Sequence, residues 1–365
     1  MPPTQTLLSV TRLKKYFPMP KKRIFQRERP YLRAVREVSL EIKRGETFGL
    51  VGESGCGKST LGRTILQLHK STAGEVRYFG RNEAELLPKY ADKNALQEGV
   101  ELTKLTRKEF RALRKDLQII FQDPYSSLNP RMTVGQIIAE GAITHGYFRK
   151  NGKELQSYVV EIMEKCGLQP YMLHRYPHQF SGGQRQRVCI ARALAVKPKF
   201  IVCDECVSAL DVSVQSQILN LLADLKEREG LTYLFISHDL SVVRHVSDRI
   251  AVMYLGEIVE LGNAEDIFED PRHPYTVALI SAVPSAEQKE EKILLSGSMP
   301  SAISIPSGCP FHTRCFMAQE CCRQTPPPLK ETAGRLVACH FSNLSAAEKR
   351  EIARSKSSKS KEENT

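Results

Sequence analysis

Short apolar runs separated by longer stretches of helix-spaced polarity make up most of this chain. Thr47-Phe48-Gly49-Leu50-Val51, Phe200-Ile201-Val202-Cys203 and Tyr233-Leu234-Phe235-Ile236 are apolar throughout, with no alternation of polar side chains. Such runs suit strands covered on both faces of a sheet. A helix is predicted from near Lys58, helix and strand over 102–120, and mostly helix over 125–180. Strands alternating with helices predict an α/β fold with a largely parallel sheet between helical layers. Residues 6–19 read as a strand and its exit, residues 20–33 as a basic, Pro-containing loop, and residues 34–51 as short apolar runs ending in the first buried strand. Residues 82–101 are polar and aperiodic and read as an inserted loop. A domain boundary is expected near Pro271 or Pro284, and the Lys/Ser/Glu-rich tail 346–365 is expected to be disordered. No internal repeat is found.

Composition narrows the class. The 365 residues suffice for one large domain and a smaller one. With 41% hydrophobic and 26% charged residues the chain is ordinary globular material. No apolar run reaches the roughly 18–20 residues that cross a bilayer, and Met1 leads into a polar run, so neither a membrane span nor a signal peptide is expected. The net charge of +12 is uneven: residues 1–33 hold nine basic side chains against Glu28, a net +8. A basic arm suits nucleic acid, an anionic membrane face, or simply a solvated loop. Cys56, Cys166, Cys189, Cys203 and Cys206 are scattered, as small core residues are.

Gly52-Glu53-Ser54-Gly55-Cys56-Gly57-Lys58-Ser59, followed by Thr60, has the form G-x-x-x-x-G-K-[ST] between a strand and a helix. Its glycines let backbone N–H groups turn inward toward a phosphate, and the helix N-terminus adds partial positive charge. Lys58 is assigned to the β and γ phosphates and the Ser59 hydroxyl to Mg²⁺. Asp204 and Glu205 close the second buried strand, at the sheet end where open α/β sheets bind ligands. Asp204 is assigned to Mg²⁺ and Glu205 to the attacking water. Alone, such a pair also suits a helix cap.

Phe180-Ser181-Gly182-Gly183-Gln184 precedes the helix that leads to Asp204. Taken by itself it is a serine-capped helix start. In this order along the chain it resembles the signature of ABC ATPases, with Phe180 in the usual Leu position. Gln122 is similar to that family's Q-loop glutamine, Ser208-Ala209-Leu210-Asp211 to its D-loop and His238 to its switch histidine. Tyr16, with Phe17 beside it, stands near the family's adenine-stacking aromatic. The resemblance spans about residues 6–345. Gln122 through Pro130, Phe180 through Arg187, His273-Pro274-Tyr275-Thr276 and Ser281-Ala282-Val283-Pro284 are similar to the second ATPase of oligopeptide and dipeptide importers. Two features depart from it: Cys206 replaces the usual Pro after the catalytic Glu, and residues 82–101 lengthen a connection.

The resemblance implies a P-loop NTPase core over 1–265 with a helical subdomain at about 125–195, and a C-terminal extension over 266–345. ATP and Mg²⁺ are the implied cofactors, with Gln122 a further Mg²⁺ contact. Lys58, Glu205 and His238 carry the implied hydrolysis, and residues 52–60, Gln122, Ser181–Gln184, Asp204 and Asp211 the nucleotide contacts. Partners are implied too: a related ATPase as heterodimer, two membrane permeases and a solute-binding protein, with the chain peripheral at the cytoplasmic membrane face. The implied function is ATP-driven uptake of oligopeptides or dipeptides. A same-branch importer for nickel or another small solute, a soluble ABC ATPase acting on nucleic acid, and a metal-sensing module are the competing readings. A single phosphate loop and the lack of a long coiled coil disfavour nucleic acid.

Cys309, Cys315, Cys322 and Cys339, with Cys321 spare, resemble the four-cysteine pattern of the extension, which in some relatives holds a [4Fe–4S] cluster. Zinc, with His312 or His340 substituting, and plain reduced thiols remain open. Residues 305–345 look too short and Pro-rich to build much core, and no phosphate-site residue is expected among them.

Overall fold

The most apolar segments of the chain become the centre of a sheet. The computed structural model describes residues 5–20, 29–80, 99–150, 152–283 and 292–362. β3 (Thr47–Val51), β7 (Phe200–Asp204) and β8 (Thr232–Ile236) are buried at every residue. They pair in parallel with each other, with β6 (Leu117–Ile120) and with β9 (Arg249–Tyr254), in the order β6-β7-β8-β3-β9. Successive side chains feed two cores. Phe200, Val202, Leu234 and Ile236 join one with Leu61 and Ile65 of α1 (Lys58–Ile65); Ile201, Cys203, Tyr233 and Phe235 join the other, with the helical region.

The sheet is less parallel than expected. β10 (Glu257–Asn263) returns antiparallel to β9 through Leu255 and Gly256, whose φ values of 43° and 82° make the tight turn that a twisted hairpin needs. β11 (Lys330–Thr332) and β12 (Arg335–Val337) form another hairpin on β10, giving eight strands in all among the described residues. The C-terminal segment thus continues the main sheet. A separate antiparallel sheet of four strands has the order β2-β1-β4-β5. Its members are β1 (Thr6–Pro18), β2 (Tyr31–Lys43), β4 (Ala73–Tyr78) and β5 (Val100–Glu101). β2 alternates buried and exposed residues along much of its length, the pattern of a sheet with one solvated face.

α2 (Arg107–Leu113) precedes β6. The helical region follows: α3 (Pro124–Ser127), α4 (Val134–Thr144), α5 (Lys153–Lys165) and α6 (Gly182–Leu194), packed through Val134, Ile137, Val159, Ile162 and Val188. α7 (Val212–Glu229) and α8 (Leu240–Val246) flank β8. Beyond β10 come α9 (Ala264–Glu269), α10 (Pro274–Ser281) and α11 (Glu320–Gln324). The tail is not disordered over its described part. Residues Ala346–Glu362 form α12, packed on α10 with Ala346, Lys349 and Ala353 buried. These three recur at helical spacing, so a stripe is buried despite the polar composition. Residues 82–98 of the polar insertion, most of the basic loop, and Pro284 lie outside the described residues. Among the described residues no helix is long and apolar enough to cross a membrane.

Candidate functional site

β3 delivers the chain into the glycine turn. Gly52, Gly55 and Gly57 have φ of 149°, 81° and 111°, and a Cβ on Gly57 would stand 2.1 Å from the Ala34 carbonyl oxygen. Only glycine allows both the backbone conformation and this approach. α1 opens at Lys58 with no acidic residue in its first turn, so its N-terminus keeps its positive character. Lys58 is buried, and its Nζ donates to the carbonyls of Gly52 at 2.7 Å and Glu53 at 3.0 Å. Cys56 is a core residue whose thiol burial pushes up. Ser59 and Thr60 are half-buried beside it.

At the end of β7, Asp204 is buried. Its Oδ2 accepts from Arg63 Nε at 3.1 Å and Nη2 at 3.0 Å, and its Oδ1 is buried without a partner among the described residues. A buried carboxylate oxygen with no donor suits a hard cation or its water. With the Ser59 hydroxyl and the Gln122 amide it gives the oxygen donor chemistry that Mg²⁺ takes. Glu205 sits at φ 50° and donates its N–H to Ile236 O at 3.0 Å, which turns its side chain out of the strand. Its Oε2 accepts from Gln122 Nε2 at 3.1 Å and lies 3.2 Å from His238 Nδ1. Three residues far apart in sequence therefore meet at one carboxylate oxygen. Cys206, where the family's Pro would be, is buried, and the turn is closed by Ser208 N donating to Glu205 O at 3.2 Å.

Ser181 caps α6: its Oγ accepts from Gln184 N at 3.3 Å, while Gln184 Oε1 accepts from Ser181 N at 3.1 Å. The plain reading of this motif as a helix cap is thus correct, and does not exclude a second role. A Cβ on Gly183 would stand 2.4 Å from Val214 Cγ1, so the signature packs on the start of α7. Ser181 and Gly182 are exposed, and among the described residues no hydrogen bond or ion pair joins residues 181–184 to residues 52–60. Asp211 is exposed and makes no cap hydrogen bond, and Val212 beside it is 82% exposed. Tyr16 and Phe17 are both half-buried on β1; Tyr16 Oη donates to Arg36 O, and Phe17 packs edge-on against His69.

Cys309, Cys315, Cys322 and Cys339 line one cavity of about 10 Å³, with His273, His312 and His340. Cys321 is exposed and outside it. Burial pushes the Cys309 thiol up to about 11 and the Cys315 thiol to about 12. Backbone N–H groups of Met317 and Phe341 donate to Cys315 and Cys339 sulfurs at 3.3 and 3.4 Å. His312 Nδ1 pairs with Cys309 O and His340 Nε2 with Thr325 O. Among the described residues no group of three or more His, Cys, Asp or Glu is spaced to hold a metal ion. The cysteines share a cavity without closing on a point.

Residues 305–345 nevertheless reach the phosphate loop. Arg314 Nη1 and Nη2 donate to the Glu53 carboxylate at 2.8 and 3.1 Å, and Tyr275 Oη accepts from Glu53 N at 2.8 Å. The segment also contributes Cys309, Phe311 and Cys322 to the main core. Arg63, Tyr275 and Arg314 were not legible as site residues. Arg63 lies on the phosphate-loop helix, which is the one local signal; the other two arrive from more than 200 residues away.

Comparison with known proteins agrees with this geometry. Residues 35–208 match the model of the family described as ABC transporter, and residues 259–322 that of the oligopeptide/dipeptide transporter C-terminal region. The oligopeptide transport ATP-binding protein AppF of Bacillus subtilis is 46% identical over 92% of this chain and 98% of its own length. The dipeptide transport ATP-binding protein DppF of Haemophilus influenzae is 46% identical over 91% of this chain and 96% of its own. Among solved structures, a dimeric post-hydrolysis state of the ATP-binding cassette MJ0796, bound to ADP and phosphate, matches with a TM-score of 0.58. It is 29% identical, and the match covers 71% of this chain and 99% of that one.

Proposed function

This chain belongs to the ATP-binding proteins of ABC transporters, in the branch whose relatives serve oligopeptide and dipeptide transport, and we propose that its hydrolysis of ATP drives uptake of such peptides across the cell membrane. What carries the reading is the meeting of Gln122 and His238 on Glu205, beside Asp204 and the phosphate loop, in a chain 46% identical along nearly the whole of AppF. Lys58 leaves the loop carbonyls to hold the β and γ phosphates, while Ser59, Gln122 and Asp204 hold Mg²⁺, which neutralises phosphate charge. Glu205 orients the attacking water and His238 stabilises the γ-phosphate charge. Tyr16 faces the adenine.

Among the described residues Ser181–Gln184 make no bond to their own phosphate loop, so we assign their helix N-terminus to a second subunit's nucleotide. Asp211 and the exposed Val212 belong to the same face. The proposed partners are a related ATPase, two permeases and a solute-binding protein, with the chain peripheral at the cytoplasmic membrane face and no nucleic acid bound. Affinity purification from the host should return a second ABC ATPase and two permeases, and vesicles carrying that assembly should take up labelled peptide with ATP. A homodimer with full transport, or uptake of nickel in place of peptide, overturns the assignment.

We further propose that Cys309, Cys315, Cys322 and Cys339 bind an iron–sulfur cluster. Four cysteines on one cavity supply the donor set, and N–H donors at two of the sulfurs favour thiolate there. A mononuclear zinc would draw its sulfurs within about 4 Å of one another, whereas these are not gathered at a point. The cavity lining must open to admit a cluster. Protein purified without oxygen should be brown, with iron and sulfide in equal amounts. Zinc alone, or no metal, refutes the cluster.

A further inference from the structure

We infer that Arg314 is a positioning residue for ATP hydrolysis: by neutralising and holding Glu53, it sets the geometry and charge of the phosphate loop from within the four-cysteine extension. This rests on the ATPase reading and is independent of which metal, if any, the cysteines bind.

Glu53 follows the first glycine of the loop, and all of its polar groups are engaged. Its N–H donates to Tyr275 Oη at 2.8 Å, its carbonyl accepts from Lys58 Nζ at 3.0 Å, and its carboxylate takes both terminal nitrogens of Arg314. The Arg314 side chain is 7% exposed and that of Glu53 27%, so solvent screens this pair weakly. A two-pronged guanidinium–carboxylate contact fixes orientation as well as charge. Arg314 Nε donates in turn to Ser296 O at 3.3 Å, which anchors the guanidinium on its far side. Met299 lies over Gly55, 3.6 Å from the place of a Cβ there, so the extension covers the loop at two points.

Tyr275 is held as firmly. Its ring packs on Tyr254 and Phe311 with centroids 4.8 and 5.4 Å apart, and Phe311 lines the cysteine cavity. Contact is therefore continuous from the cysteines through Phe311 and Tyr275 to the Glu53 N–H, and runs in parallel through Arg314 beside Cys315.

Two consequences follow for an anionic substrate. A phosphate loop binds through the directions of its backbone N–H groups, and the tether on Glu53 keeps them set before ATP arrives. Without Arg314, Glu53 is also an unpaired negative charge in a loop that must receive a triphosphate. The cost should fall on ATP affinity more than on the chemical step, because Glu205, Gln122 and His238 stand elsewhere.

The test uses the full chain in the transporter assembly with which it purifies. Arg314→Gln should raise the KM for ATP about tenfold, the scale of losing a charge-assisted bidentate contact, with kcat changed less than threefold. Adding Glu53→Gln should restore most of the KM, since the unpaired charge is gone. Arg314→Lys, which keeps charge without the fork, should fall between and serves if Arg314→Gln does not fold. An unchanged KM in Arg314→Gln or Arg314→Lys, or a loss of active protein that Glu53→Gln does not reverse, overturns the inference. A merely structural arginine would give the latter result.

Discussion

The phosphate site and the cysteine cavity lie close together, joined by Phe311 and Tyr275, yet they are stabilised in opposite ways. At the phosphate site every charged group has a partner of its own chain: Lys58 has the loop carbonyls, Asp204 has Arg63, and Glu205 has Gln122 and His238. Such a site is ordered before its substrate binds, which is how electrostatic catalysis avoids reorganisation. In the cavity, four donors of one kind face each other among aromatic rings, and burial favours their neutral form. Under the cluster proposed above, its order would depend on what the donors bind. One region is preorganised by its own residues, the other, on that proposal, by a ligand.

The sharpest break of the first half of this contrast is Glu205→Gln, which keeps shape and removes charge. Turnover should fall by about two orders of magnitude or more, while Mg-ATP binding persists because Lys58, Ser59 and Asp204 are untouched. Single-turnover hydrolysis and nucleotide binding on the assembled transporter check this. Near-normal hydrolysis would remove Glu205 from the chemistry.

Arg63→Ala tests whether mutual pairing holds the site. Asp204 would become a buried carboxylate with neither oxygen satisfied, at a cost of about 2 kcal/mol given the partial exposure of Arg63. The melting temperature should drop by a few degrees without ligand and recover more strongly than wild type with Mg-ATP, since a cation replaces the lost charge. Equal Mg-ATP stabilisation in both proteins would show that Arg63 and the cation act on different groups.

Cys339→Ser tests the second half. Loss of one ligand should abolish the metal centre and loosen the extension, and hydrolysis should fall only several-fold, through Arg314 and Tyr275. Wild-type metal content would break the contrast, as would hydrolysis falling as far as in Glu205→Gln.

Which parts of this were legible follows from how far each signal reaches. Residues 52–59 form a local device, a turn between a strand and a helix, so their spacing alone points to phosphate. Glu205 was legible from its place at the end of a buried strand, and Gln122 and His238 from family resemblance, but their meeting on one oxygen is a property of the parallel sheet, whose strand ends gather distant residues. Arg314 and Tyr275 carry no local mark: an arginine beside a cysteine and a tyrosine after a proline look ordinary until the extension folds back over Glu53. The tail misled for a different reason. Its Lys- and Ser-rich composition hides a three-residue stripe, and Lys349 sits fully buried with its Nζ donating to Leu344 O. Burial holds that lysine's pKa down, an arrangement composition does not reveal. The C-terminal segment, expected to build little core by itself, joins the main core and sheet.

The finest distinction lies between two adjacent cysteines, and it predicts the smallest effect. By spacing Cys321 is the spare and Cys322 the third of the four proposed ligands, but the two are adjacent and spacing alone separates them poorly. On α11 their side chains point about 100° apart, so only one can face the cavity. The backbone decides which. Cys309 N donates to Cys322 O at 2.7 Å, and Gly308, at φ 66°, would place a Cβ 2.4 Å from that same oxygen, so the chain before Cys309 is pressed against Cys322. Cys322 is consequently buried in the cavity and Cys321 exposed outside it. Cys321→Ser should leave metal content and melting temperature at wild-type values, whereas Cys322→Ser should lose the metal as Cys339→Ser does. Metal analysis of the two variants, purified side by side without oxygen, reads the difference. If Cys321→Ser lost the metal and Cys322→Ser kept it, α11 would be rotated about its axis relative to this structure, and the cavity would be lined by a different set of cysteines.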